Sequence, residues 1–390
     1  TRIIAVVVAT ALTACGQQTA EQTPVESEDM VSGLALENMD KTIQPGDDFF
    51  MYMNGAWIDQ TEIPADKASY GGFAILADEA QENLRVIIDE AANGDFEKGT
   101  DEQKVGDLYN SYLDMDTRNA RGVEPVGKHF ERIDSIASVE DLARYMADGR
   151  ARGLTMPIDL DQLVDWNDSD KYSIIITQGG LGLPDREYYL LDDEKSVEIR
   201  EAYVEHIRKM FDLAGLPDGA ADAQTIMALE TRLAEHNMPK EEVRNRAANY
   251  QVFARDQWTD VMPNFPWQAF LDAYGVPEVD SLVLYMTDYL AALDGILRDT
   301  DLDTWKTYLY WSELNNNAHL LTADLDKQNF EFFGKTLAGV EEQRPMWRRA
   351  TATVSGTLGE VVGKVYVAKH FPPEAKRRME ELVGNLINAY

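Results

Sequence analysis

The chain has 390 residues, 44% of them hydrophobic, which is ample for a large core and too apolar for a wholly disordered polymer. Lys and Arg number 36 against 69 Asp and Glu, a net charge of −33. Such a surface repels nucleic acid and anionic headgroups, so neither is a partner through charge attraction.

The first residues read as an export signal. Arg2 precedes the apolar run Ile3 to Leu12, which is about half the roughly twenty residues a membrane span needs. Leu12-Thr13-Ala14-Cys15 then resembles a bacterial lipobox, and it predicts residues 1–15 as a lipoprotein signal with Cys15 as the lipidated residue. Cys15 is the single cysteine, so no disulfide within the chain holds this fold. Residues 16–39 are rich in Gln, Thr, Glu and Ser and predict a flexible tether. The implied location is the cell envelope, facing the periplasm or the cell surface, with membrane contact only through the N-terminal lipid.

From residue 40 onward the pattern is helical. Apolar positions three and four apart predict helices over 78–92, 102–115, 139–149, 196–214, 221–236, 281–297, 302–317 and 345–370. In the last of these Val354, Leu358, Val361, Val362, Val365 and Tyr366 form one stripe. Two β-branched runs, 156–160 and 172–177, interrupt the pattern around a polar loop and predict a hairpin. Its strand 172–177 is a candidate edge on which an extended peptide could add. The expected fold is mainly α: a large helical domain over 40–390 with one small β-hairpin. Pro372 and Pro373 open a final helix whose apolar stripe (Met379, Leu382, Val383, Leu386, Ile387, Tyr390) meets no cap. With Thr1 in place of an initiator Met, both ends read as cuts in a longer chain.

Chemistry is hard to find. His129, His206, His236, His319 and His370 include no pair three or four apart, so the helical zinc motif His-Glu-x-x-His is missing. Each reads as a helix or surface residue. The stretch from Asp165 starts like a calcium loop but has Asp170 where glycine is needed and Ile176 where glutamate is needed. Gly180-x-Gly182 lacks a third glycine in register, and no nucleophile elbow or phosphate loop occurs. No catalytic or metal residue is assigned within 1–390.

Four ordered blocks nevertheless resemble one family. Gly46-Asp47-Asp48-Phe49-Phe50 with Asn54-Gly55-Ala56-Trp57 and Tyr70-Gly71-Gly72-Phe73 is the first. Gly180-Leu181-Gly182-Leu183-Pro184-Asp185-Arg186 is the second, and Asn329 to Leu337 with Gln343-Arg344-Pro345 and Trp347 the third. Gly359 through Phe371-Pro372-Pro373-Glu374 completes the set. Together they resemble the N-terminal domain of the neprilysin and endothelin-converting-enzyme type of zinc metallopeptidase. The resemblance implies a helical lid that faces a separate catalytic domain, zinc held in that other domain, peptide substrates, and proteolysis of oligopeptides by the complete enzyme. The partners it implies are therefore peptides and the chain's own C-terminal catalytic domain, which 1–390 would lack; the fragment alone is expected to be inactive. A non-catalytic, lipid-anchored helical binding protein is the competing expectation.

In neprilysin the stretch matching Ser69 to Ala77 holds a peptide's C-terminal end with two arginines and an aspartate. The matching positions here are Ser69, Ala74 and Ala77, which cannot supply forked guanidinium donors. The resemblance makes Ser69, Tyr70, Phe73, Ala74 and Ala77 substrate-facing candidates, whereas apolar spacing alone predicts that the aromatic pair packs in the core.

Overall fold

The computed structural model describes residues 33–390; the signal segment, Cys15 and residues 16–32 of the expected tether lie outside the described residues. The chain divides at Glu62 into two compact units. In the first, helix α1 (Phe49–Gln60) starts where the Asp48 carboxylate accepts the Met51 amide. Gly55 is needed there because a Cβ would fall 2.7 Å from the side chain of Asp40.

The second unit, from Ile63 on, is mainly helical. Its first part holds α2 (Gly72–Asn93), α3 (Asp101–Leu113), α4 (Met115–Arg121), α5 (Glu124–Asp134) and α6 (Val139–Ala151). Strands β1 (Ile158–Val164) and β2 (Tyr172–Gln178) follow, then α7 (Glu187–Leu190), α8 (Glu194–Ala214) and α9 (Gly219–His236). Short pieces come next: α10 (Lys240–Val243), α11 (Arg246–Asn249), β3 (Val252–Ala254), α12 (Trp258–Val261), α13 (Trp267–Tyr274) and β4 (Ser281–Leu284). The chain closes with α14 (Thr287–Asp299), α15 (Leu302–Asn317), α16 (Ala323–Asn329), α17 (Met346–His370) and α18 (Pro373–Ala389). Side-chain caps on Thr100, Ser138, Asp193, Asp301 and Thr322 start five of these helices by accepting an otherwise orphaned amide.

Three apolar clusters hold the unit. The largest surrounds the sheet, with α6, α13 and α14 supplying residues such as Met146, Phe270 and Leu290. A second joins α8, α9 and α15 through Tyr203, Ile226 and Trp311. The third joins α2, α3 and α17 through Ile88, Tyr109, Val354 and Val362, with Leu358, Val361, Val365 and Tyr366 packed partly buried against it. The predicted stripe of α17 thus faces inward, and non-helical angles at Leu358, between Gly356 and Gly359, let the long helix bend as it does so.

The hairpin exists but is only half of the sheet. Its strand order is β1-β2-β4-β3, with β1–β2 and β3–β4 antiparallel and β2–β4 parallel. Two expectations change as a result. Residues 281–284 are strand rather than the start of a helix, because a short fully apolar run carries both signals. Strand 172–177 lies inside the sheet, paired with β1 along its length and with β4 at Ile175 and Ile176, so it is not the free edge expected. The edges are β1 and β3, and the Tyr274 hydroxyl already donates to the Leu160 carbonyl of β1 at 3.3 Å.

Candidate functional site

The apolar-poor stretch before α2 and the first two turns of that helix form one wall of a cavity of about 670 Å³. Ser69, Ala74, Ala77, Asp78 and Gln81 face into it. Positions 74, 77, 78 and 81 recur three and four apart, so a single helix face supplies them. The small side chains at 74 and 77 leave the space open. His319, Asp326, Asn329, Phe330, Phe333, Arg344 and Arg349 supply the other wall. The loop after residue 337 is tied across by the amides of Glu341 and Glu342, which both donate to the Ala65 carbonyl at 3.0 and 2.9 Å.

Residues Phe330–Leu337 run as a π-helix directly after α16. The wider turn fits crowded aromatics: Phe332 stacks on the buried His206 ring at 4.8 Å and 10°, and Phe333 meets the same ring edge-on. Gly334 is required, since any Cβ would strike the Phe330 ring. Single π turns inside helices concentrate at functional sites, and this one directs Phe330 and Phe333 toward the cavity.

The charged side chains are mostly paired. Lys67 and Arg348 both meet the Asp78 carboxylate, at 2.8 and 3.0 Å. Burial works against ionisation of Asp78, but those two cations outweigh it and hold its pKa below the ordinary value. Arg349 pairs with Asp326, whose other oxygen accepts from the Gln343 amide at 3.0 Å. Desolvation also lowers the pKa of His319, at the exposed rim. Arg344 has no side-chain partner among the described residues. The result is an open cavity with aromatic faces, paired charges and, among the described residues, one guanidinium without a side-chain partner, suited to a chain that carries both apolar and polar groups.

Of the predicted substrate-facing residues, the structure brings Ser69, Ala74 and Ala77 together in this cavity. Tyr70 is half-buried and Phe73 is 92% exposed, neither among the cavity's lining. Core packing is therefore the wrong expectation for Phe73, and Leu76 at 61% exposure accompanies it on the surface of α2. His319, Asp326, Arg344 and Arg349 were missed as site residues. Three of these belong to or adjoin the third motif block, but nothing in the sequence pairs that block with residues 69–81.

Elsewhere two buried carboxylates organise the core. Glu313 accepts from Tyr145 and Arg152, each at 2.6 Å. Glu230 accepts from Tyr189 at 2.6 Å, Tyr203 at 3.2 Å and the Gly182 amide at 3.3 Å. The glycine-rich link 179–184 is thereby fastened to α9, and at Gly182 a side chain would strike Tyr203. Among the described residues no group of three or more His, Cys, Asp or Glu side chains is placed to hold a metal ion, so these residues do not fit a zinc site. No helix among them is long and apolar enough to cross a membrane.

A mainly helical unit with one small mixed sheet and a cavity walled by α2 and the segment 319–349 is the frame for the comparisons with known proteins. Residues 45–390 match the N-terminal model of peptidase family M13, and the chain belongs to that family. Mouse endothelin-converting enzyme-like 1 is 26% identical over 365 residues, covering 90% of this chain and 47% of that protein. Neprilysin-3 of Drosophila melanogaster is 25% identical over 378 residues, covering 91% and 48%. The crystal structure of the Mycobacterium tuberculosis zinc metalloprotease Zmp1 with an inhibitor superposes with a TM-score of 0.86 at 35% identity, over 92% of this chain and 55% of that one. PepO from Lactobacillus rhamnosis shares the fold at a TM-score of 0.71 and 19% identity, covering 88% and 54%. The chain spans about half the length of the curated relatives it matches.

Proposed function

We propose that this chain is the substrate-enclosing half of an exported zinc metalloendopeptidase that hydrolyses oligopeptides. The observation that carries the reading is its membership of family M13 at about half the relatives' length, joined to a cavity of about 670 Å³ built within that half. In this reading the cavity limits substrate size and excludes bulk water, while the zinc belongs to residues outside this chain. Ser69, Ala74 and Ala77 lack the donors of a carboxylate clamp, so preference for a peptide's C-terminal dipeptide is relaxed. Cys15 carries the lipid that holds the protein to the cell envelope, through a tether over residues 16–39.

The test uses the protein extended by the residues encoded after Tyr390. It should cleave a quenched fluorescent peptide at least about a hundredfold faster than the same sequence held in a folded protein, and a zinc chelator should abolish both reactions. Equal rates on peptide and folded protein would defeat the enclosure, and chelator resistance would defeat the zinc assignment. Cys15→Ser should move the protein from the membrane fraction to the soluble one; an unchanged distribution rules out the anchor.

A further inference from the structure

A second cavity, about 570 Å³ in volume, lies against the hairpin and is unrelated to the chamber described above. Leu163, Ile175, Trp166, Tyr285, Arg244 and Arg246 line it. A neighbouring hollow of about 460 Å³ shares Gln178, Val243 and Arg244 with it and adds Lys240, so the two form one groove along residues 238–246.

The groove is firmly built. The Gln178 side chain accepts from the Met238 amide at 2.6 Å and donates to its carbonyl at 3.1 Å, fixing the segment to the end of β2. The Tyr285 hydroxyl donates to the Val243 carbonyl at 2.7 Å. Asp165, at the start of the hairpin loop, accepts from Ser173 and from the Tyr250 hydroxyl. Between these anchors Trp166 sits edge-on to Tyr285 at 5.4 Å, and the Arg246 guanidinium lies 5.1 Å over the Trp166 ring. Stacking of this kind orients the fork of Arg246 at small cost in side-chain entropy.

Charge makes the groove unusual. Acids outnumber bases 69 to 36 in the chain, and Arg150, Arg152, Arg208 and Arg348 all rest on carboxylates. Arg244 and Arg246 meet no carboxylate among the described residues. The one lining acid on the hairpin, Asp161, is already engaged by Arg150 at 3.1 Å. Two neighbouring guanidiniums left open beside an aromatic wall match a ligand that brings its own carboxylate and an apolar group. The net charge of −33 disfavours a long polyanion, which would meet repulsion beyond the groove.

We propose that this groove binds an acidic peptide segment, its carboxylate received by Arg244 and Arg246 and an adjoining aromatic or aliphatic side chain laid against Trp166 and Leu163. Nothing in it depends on catalysis or zinc, so it stands or falls apart from the peptidase reading. The probe is a fluorescein-labelled peptide, acetylated and amidated at its ends, with Glu residues on both sides of a Phe; its Gln counterpart is the control. Anisotropy with the present chain should show saturable binding that weakens about tenfold for the Gln peptide, for Arg244→Gln/Arg246→Gln, and on raising salt from about 50 to 500 mM. Trp166→Ala should weaken it by a smaller factor, and Arg298→Gln, at an exposed arginine outside both cavities, should leave it unchanged. Both arginines are exposed, so the double variant is expected to fold, which circular dichroism checks. Equal affinity for the Glu and Gln peptides, or full binding by the double variant, would show that these are merely solvated arginines and overturn the proposal. So would a loss of binding in Arg298→Gln as large as in the double variant.

Discussion

At the residue scale the most informative group is Glu230. Full burial raises its pKa to about 7, against the opposing pull of the Tyr189, Gly182 and Tyr203 donors. Among the described residues no basic side chain pairs with it, so the proton is retained in the folded state at pH values where an unfolded Glu has already lost it. The stability this contributes is present below the unfolded value of about 4.5 and is lost as pH rises through about 7. His206 has the opposite sign: desolvation holds it down to about 3, so its contribution grows as pH rises toward its unfolded value. Urea unfolding of the native protein and Glu230→Gln separates the two. The native protein's advantage over the variant should shrink by roughly 3 kcal/mol between pH 5 and pH 8. A pH-independent difference would mean that Glu230 is ionised throughout. None of this was legible in the sequence, where Glu230 is one acid of 69; its neighbours come from residues 182, 189 and 203, and only the tertiary fold assembles them.

At the scale of elements the helices were largely legible, and the reason is periodicity. Helices α2, α3, α6, α8, α9, α15 and α17 fall within a few residues of the expected ranges, except that α2 begins earlier, at Gly72. What escaped were α1 (12 residues) and α5 (11 residues), which the expected ranges leave out, and the short elements β3, β4, α13 and the π turn at 330–337, which are too brief for a period to show. The α2–α3 contact supplies a sharp test. A Cβ at Gly106 would fall 2.5 Å from the Ala91 carbonyl oxygen, a backbone atom that cannot swing aside. Gly106→Ala should destabilise the domain by about 1–3 kcal/mol in spite of alanine's better helix propensity. A neutral or stabilising effect on the unfolding midpoint would mean that these two helices pack less closely than described.

For the molecule as a whole, α18 is the element least explained by its own domain. It has no buried residue, and Met379, Leu382, Leu386 and Ile387 are each more than half exposed. In the proposed function that face meets another part of the protein. Leu382→Glu/Leu386→Glu should therefore leave the chain's stability within about 0.5 kcal/mol of native while lowering hydrophobic-dye binding and self-association in light scattering. A large drop in stability would show that the stripe is already packed.

The sequence by itself determined that the chain is mainly helical, where its long helices lie, that a hairpin interrupts them, and which family's motif blocks it carries. Those features are local: a period, a turn residue or an ordered block needs only neighbours along the chain to be visible. Only the tertiary structure decided that β2 is an interior strand, that Phe73 points outward while Ala74 and Ala77 open a cavity, and that Arg349 pairs with Asp326 in the wall facing them. The chamber joins residues 66–81 to 319–349, and contacts across some 250 positions are set by how three apolar clusters pack rather than by any pattern within either segment.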